Sequence, residues 1–228
     1  MGTMGLRSFA TGLLLAVGVL GADTRAQLAP TADRWEADIH AFEIADRAQP
    51  PRSGGVVFIG SSSIRMWTTL TEDFPGIDVL NRGFGGSRIA DSTRYVSRIV
   101  SPYHPRTVVL YAGDNDIVEG ASAQRVLDDF KAFVAAVRKD APTTPIVFIS
   151  IKPSPSRVQL IETMRAANAL VRGYSSTQPA VRYVDVFDAM LGKDGQPRED
   201  LFGPDRLHMN RSGYRLWVSI IAPELARR

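Results

Sequence analysis

Five short apolar runs, rich in β-branched residues, do most to limit what this chain can fold into. They are Val56–Ile59 (VVFI), Ile77–Leu80 (IDVL), Thr107–Ala112 (TVVLYA), Pro145–Ile151 (PIVFISI) and Val181–Val186 (VRYVDV). Val56–Ile59 stays apolar instead of alternating and reads as a buried parallel strand. Stretches of helical spacing flank and separate the five runs. Thr31–Ala48 places Trp35, Ile39, Phe42 and Ala45 or Ala48 on one side before Pro50-Pro51 stops it. Ile89–Ile99, Ala123–Lys139, Arg157–Tyr174 and Arg211–Ala226 follow. The Ala123–Lys139 stretch turns Val126, Phe130, Phe133 or Val134, and Val137 inward. The last helix begins at a cap, Asn210 or Ser212. Strand and helix alternating in this way predict an open parallel α/β sheet covered on both faces. With 228 residues, 44% of them hydrophobic, the chain has material for one such domain and little for a second.

In sheets of this kind, chemistry sits outside the carboxyl ends of the strands, near the point where strand order reverses. Three runs end there in glycine and polar residues. Val56–Ile59 stops at Gly60 and passes through Ser61-Ser62-Ser63 into Ile64-Arg65-Met66-Trp67, the first turn of a helix. Such a turn exposes a hydroxyl beside the unpaired N–H groups of a helix N-terminus, which are the needs of an acyl-transfer nucleophile. It equally suits serines that only cap and turn. Ile77–Leu80 leads into Asn81-Arg82-Gly83-Phe84-Gly85-Gly86-Ser87, whose glycines allow close backbone approach. Thr107–Ala112 ends in Gly113-Asp114-Asn115-Asp116.

A serine nucleophile needs a base, and the base needs an orienting carboxylate. The chain has three histidines. His40 falls within the first helix, and His104 lies between prolines on the amino side of the third strand, so both read as structural. His208 follows Asp205 by three positions, close enough for the carboxylate to reach Nδ1 and leave Nε2 for a serine. Taken by themselves, the pair read as a local turn cap and an exposed ring.

Together these segments resemble the SGNH (GDSL-type) hydrolase family, in the right order and over nearly all of the chain beyond its N-terminal segment. Gly60-Ser61-Ser62-Ser63-Ile64 is similar to the nucleophile block, with Ser62 at the nucleophile position and Ser61 and Ser63 as the alternatives. The family commonly carries Asp where this chain has Ser61. Gly86 matches the glycine whose N–H joins the oxyanion hole, Asn115 the asparagine of the G-x-N-D block, and Asp205 and His208 the D-x-x-H block. The resemblance implies a three-layer αβα flavodoxin-like sandwich with a five-stranded parallel sheet. It also implies a Ser62-His208-Asp205 triad and an oxyanion hole formed by the N–H groups of Ser62 and Gly86 and the Asn115 side chain. No metal or organic cofactor is required. Small-molecule, carbohydrate and lipid esters are the implied substrates, with a short acyl group, acetyl above all, favoured by the lack of room for a large lid. An O-acyltransferase would use the same triad, and a catalytically silent carbohydrate-binding protein could share the fold.

Composition removes other classes. With no cysteine, disulfides, thiolate catalysis and cysteine-ligated zinc are excluded. The net charge of +3 is spread along the chain without a basic stripe, which argues against nucleic acid as a partner. Arg7 followed by the apolar Phe9–Ala22 and small residues reads as a secretory signal peptide over residues 1–26. The apolar run is short for a membrane span, so the expected product is a hydrolase domain, residues 27–228, secreted or periplasmic and without a stable membrane span. Loss of Arg7, Asp23 and Arg25 with the leader lowers the net charge only to +2.

Overall fold

The computed structural model describes residues 1–2 and 34–226. Nearly all of the leader-like segment, and the start of the Thr31–Ala48 stretch, lie outside the described residues. The chain divides into two units, residues 1–33 and 34–228, and the second carries the sheet. Its strands are β1 (Val56–Gly60), β2 (Val79–Gly83), β3 (Thr107–Tyr111), β4 (Ile146–Ile149) and β5 (Val181–Val184). They pair in the order β2-β1-β3-β4-β5, every pair parallel. This is the five-stranded flavodoxin-like order, and strand order reverses between β1 and β3.

The helices are α1 (Glu36–Ala48), α2 (Ser62–Arg65), α3 (Leu70–Asp73), α4 (Ile89–Ile99), α5 (Asp114–Val118), α6 (Ala123–Asp140), α7 (Ile161–Thr177) and α8 (Arg211–Ala226). Alternate residues of each strand feed two separate cores, as the pleat requires. Val57 and Ile59 of β1 and Val108 and Leu110 of β3 pack with α1, α4, α6 and α7. Val56, Phe58, Val109 and Tyr111 face the other way, onto Ile64, Trp67, Phe74 and the Trp217 face of α8. Helices on both sides leave β1, β3 and β4 wholly buried.

Most sequence expectations stand, with informative departures. Val126, Phe130, Phe133, Val134 and Val137 are all buried. On α1, Trp35 and Ile39 are buried and Phe42 packs partly, but Ala45 and Ala48 are exposed. Asp46 turns inward instead, to pair with the buried Arg82 and the Tyr103 hydroxyl. β2 begins at Val79 and runs on through Asn81-Arg82-Gly83, because its ladder with β1 continues until Gly83 meets Gly60. Asp114–Val118 is helical, where only a turn was expected. The helix expected from Arg157 begins at Ile161, after a 3-10 stretch over Pro155–Leu160. Asn210 is the cap of α8: its Oδ1 accepts from the N–H groups of Ser212 and Gly213.

Two glycines bring the carboxyl ends of the strands together. Gly60 has φ +141°, and a Cβ there would lie 1.9 Å from the Tyr111 carbonyl oxygen of β3. A Cβ at Gly83 would lie 2.2 Å from the Arg65 nitrogen, so its absence lets β2 close onto α2. No helix among the described residues is long and apolar enough to cross a membrane.

Candidate active site

β1 ends by delivering Ser61, Ser62 and Ser63 to the first turn of α2, and the three serines separate by environment. Ser61 and Ser63 are 0% and 1% exposed, turned into the protein. Ser62 alone reaches the surface, with its Oγ 3.0 Å from His208 Nε2. α2 is short, so its position depends on outside partners. Asn81 donates from Nδ2 to the Ile64 carbonyl, and the Tyr214 hydroxyl donates to the Ser63 carbonyl.

His208 comes from the opposite end of the sequence, on a turn closed by the Gly203 N–H donating to the His208 carbonyl and by a bridge between Phe202 and Met209. The preceding irregular stretch, Asp188–Pro204, holds that turn by burying Met190, Leu201 and Phe202 in the α8-side core. Asp205 Oδ2 lies 2.6 Å from His208 Nδ1, and Oδ1 accepts from the N–H groups of Leu207 and His208. The contact with His208, then those two N–H groups, hold the Asp205 carboxyl at about 2. With Asp205 Oδ2 against Nδ1, a neutral ring that carries its proton on Nδ1 presents Nε2 as an acceptor to Ser62. The pair is open to solvent, with the Asp205 side chain 51% and the His208 side chain 26% exposed.

Asn115 stands in the first turn of α5, just beyond β3, across the reversal point from Ser62. Its Nδ2 donates to the Ser87 carbonyl at 3.0 Å, leaving its second amide hydrogen uncommitted. Its Oδ1 accepts from Arg157 Nη2 at 3.2 Å, which fixes which way the amide faces. Arg157 Nη1 also bonds Asp114 Oδ2 at 3.0 Å, and the buried Lys152 Nζ lies 3.5 Å from the same oxygen. Burial pushes the Lys152 ammonium below the usual lysine range, and the nearby Asp114 carboxylate opposes that shift. Asp116 faces the other way and accepts the Ile89 N–H at the start of α4. Burial raises its carboxyl to about 7.

Gly86 follows β2 in a loop pinned by the Trp35 indole N–H, which donates to the Gly85 carbonyl, and by the Ser87 hydroxyl, which donates to the Phe84 carbonyl. Neither the Ser62 nor the Gly86 N–H finds a protein acceptor among the described residues. His40 is exposed on α1, and His104 closes the turn before β3, both apart from this cluster. Sequence reasoning missed Arg157, Asn81 and Tyr214. The signal for Arg157 was the polar Lys152-Pro153-Ser154-Pro155 stretch at the end of a fourth strand. Asn81 and Tyr214 act through backbone carbonyls, which leaves no motif.

The sequence model of the GDSL-like lipase/acylhydrolase family matches residues 54–216, from just before β1 into α8. The chain belongs to that family. It is a carboxylic ester hydrolase. None of the curated proteins matches it in sequence. Among solved structures it is similar to a candidate acylhydrolase from Bacteroides fragilis (21% identity, 86% of this chain and 98% of that chain, TM-score 0.73). A GDSL-like lipase from Bacteroides thetaiotaomicron is also similar (18% identity, 83% and 97%, TM-score 0.72). So is a variant of an acetyl-xylooligosaccharide esterase from Geobacillus (14% identity, 78% and 96%, TM-score 0.60). At these identities the likeness is one of fold.

Proposed function

We propose that the protein is a secreted serine esterase that removes short acyl groups, acetyl foremost, through Ser62, His208 and Asp205. The carrying observation is the continuous line of contacts from Asp205 through both His208 nitrogens to the Ser62 hydroxyl. In this reading His208 Nε2 takes the Ser62 proton as the hydroxyl oxygen attacks the ester carbonyl. Asp205 holds the ring and stabilises the imidazolium that forms. The tetrahedral oxyanion is met by the N–H groups of Ser62 and Gly86 and by the free Asn115 amide hydrogen. Collapse expels the alcohol, which takes its proton from His208. Water, activated by the same imidazole, then releases the acid from Ser62.

The short acyl preference is supported by the exposure of His208 and Asp205 beside short α2 and α5. The acetyl-xylooligosaccharide esterase among the structural neighbours points the same way. Export is supported by the leader-like pattern Arg7 and Phe9–Ala22. Turnover of p-nitrophenyl acetate, butyrate and octanoate tests the reading: kcat/KM is expected to fall with chain length and to vanish in Ser62→Ala. A preference for octanoate, or undiminished turnover in Ser62→Ala, overturns it.

A further inference from the structure

Two arginines bracket the loop that carries Gly86. Arg65 leaves the last turn of α2, three residues after Ser62, and lies across Gly85: a Cβ there would be 2.9 Å from both its Cζ and its Nε. Arg34 approaches from the other side, its Nη2 2.9 Å from where a Cβ on Gly86 would stand. Its guanidinium lies 4.7 Å from the centre of the Trp35 ring, and Trp35 is itself tied to the Gly85 carbonyl. The loop therefore holds the two cations as well as an amide of the site.

Both side chains are exposed, and neither has a carboxylate or hydrogen-bond partner among the described residues. That contrasts with arginines elsewhere on the surface, such as Arg98 with Glu36 and Glu43, Arg125 with Asp129, and Arg211 with Asp73. The site-facing carboxylates are committed: Asp205 to His208, and Asp114 to Arg157 and Lys152. Among the described residues no carboxylate neutralises the pair, and guanidinium groups are suited to carboxylate and phosphate oxygens.

We infer that Arg34 and Arg65 form a subsite for an anionic group, a carboxylate or phosphate, on the alcohol portion of the ester. The inference rests on the esterase reading above. A small neutral acyl group leaves the alcohol as the part able to carry the charge. Anion binding beside the Gly86 amide would hold the ester carbonyl over Ser62 while the free alcohol product leaves with its charge.

The test compares 4-acetoxybenzoate and 4-acetoxyphenyl phosphate with the neutral methyl 4-acetoxybenzoate, in the wild type and in Arg34→Gln, Arg65→Gln and the double variant. The ratio of kcat/KM for an anionic ester to that for the neutral one should fall about tenfold in each single variant and further in the double. It should also shrink from low salt to 0.5 M sodium chloride, as charge steering at an exposed site does (0.5 M roughly halves the screening length from its physiological value). Which anion shows the larger fall identifies the carboxylate or phosphate source. Equal ratios in the wild type and double variant, or both esters slowed together with the ratio intact, overturn the inference. Calorimetric binding to Ser62→Ala separates this from failure of the esterase reading. 4-Acetoxybenzoate should bind more tightly than its methyl ester, and the preference should disappear when Arg34→Gln and Arg65→Gln are added. Equal binding of the two esters by Ser62→Ala refutes the subsite even where wild-type turnover is seen.

Discussion

Asn115→Ala isolates the side-chain contribution to the proposed oxyanion site, and its effects divide into two parts that can be measured separately. Asn115 spends one amide hydrogen on the Ser87 carbonyl and receives Arg157 on Oδ1, so one hydrogen remains for the reaction. Removing one of three donors should cost about 3–4 kcal/mol of transition-state stabilisation, or on the order of 10²–10³ in kcat. KM should change much less, because the donor serves the oxyanion more than the ground-state carbonyl. The structural part is smaller. Ser87 O and Arg157 each lose a partner at a part-buried position, about 1 kcal/mol apiece before water replaces either bond. Arg157 keeps Asp114, so the fold should survive with a Tm lowered by a few degrees. Initial rates on p-nitrophenyl acetate, with Tm from circular dichroism, give both numbers. A kcat within threefold of wild type in a folded Asn115→Ala protein refutes the oxyanion assignment. Loss of activity matched by loss of structure refutes the division into parts.

Two further outcomes follow from the same packing. Asp116 has its carboxyl raised from an ordinary 3.8 to about 7 by burial, so the folded chain keeps a proton there that the unfolded chain releases from about pH 4. The associated stability is present in full below about pH 4 and is lost as pH rises through 7, by up to roughly 4 kcal/mol. Urea unfolding at steps from pH 4 to pH 8 should show that loss in the wild type and a flatter profile in Asp116→Asn; parallel profiles contradict it. Gly60→Ala places a methyl against the Tyr111 carbonyl at a φ of +141°, which should cost more than about 3 kcal/mol or prevent folding. A urea midpoint unchanged in that variant would mean that β1 and β3 do not meet as described.

Much of the fold was legible because β1, β3 and β4 are buried on both faces and therefore written as unbroken apolar runs. The runs that became β1, β3, β4 and β5 needed no tertiary information. β2 was misplaced because Asn81, Arg82 and Gly83 are poor strand formers by composition, and only pairing with β1 keeps them extended. Arg82 is tolerated there because Asp46 and Tyr103 satisfy it, a partnership no local spacing announces. α5 was hidden for a related reason: Asp114, Asn115 and Asp116 look like a turn, and each acid bonds at a helix start, Asp114 with the Asn115 N–H of its own helix and Asp116 with the Ile89 N–H of α4. Of the candidate site, Ser62, Asn115 and the Asp205–His208 pair were readable from their blocks. Ser62 was set apart from Ser61 and Ser63 by its place after Gly60, and the burial of the two neighbours adds a physical reason. Arg157 went unread because its contact with Asn115 spans 42 positions and two elements, and the polar stretch after the fourth strand marked only the neighbourhood.

The most direct test of the account is covalent. Purified protein is treated with a fluorophosphonate and the adduct mapped by peptide mass spectrometry, with His208→Ala carried alongside. One adduct is expected, on the Ser62 oxygen, with its loss in His208→Ala at unchanged Tm. An adduct on Ser61 or Ser63, or labelling of Ser62 that persists at the wild-type rate without His208, would contradict the account.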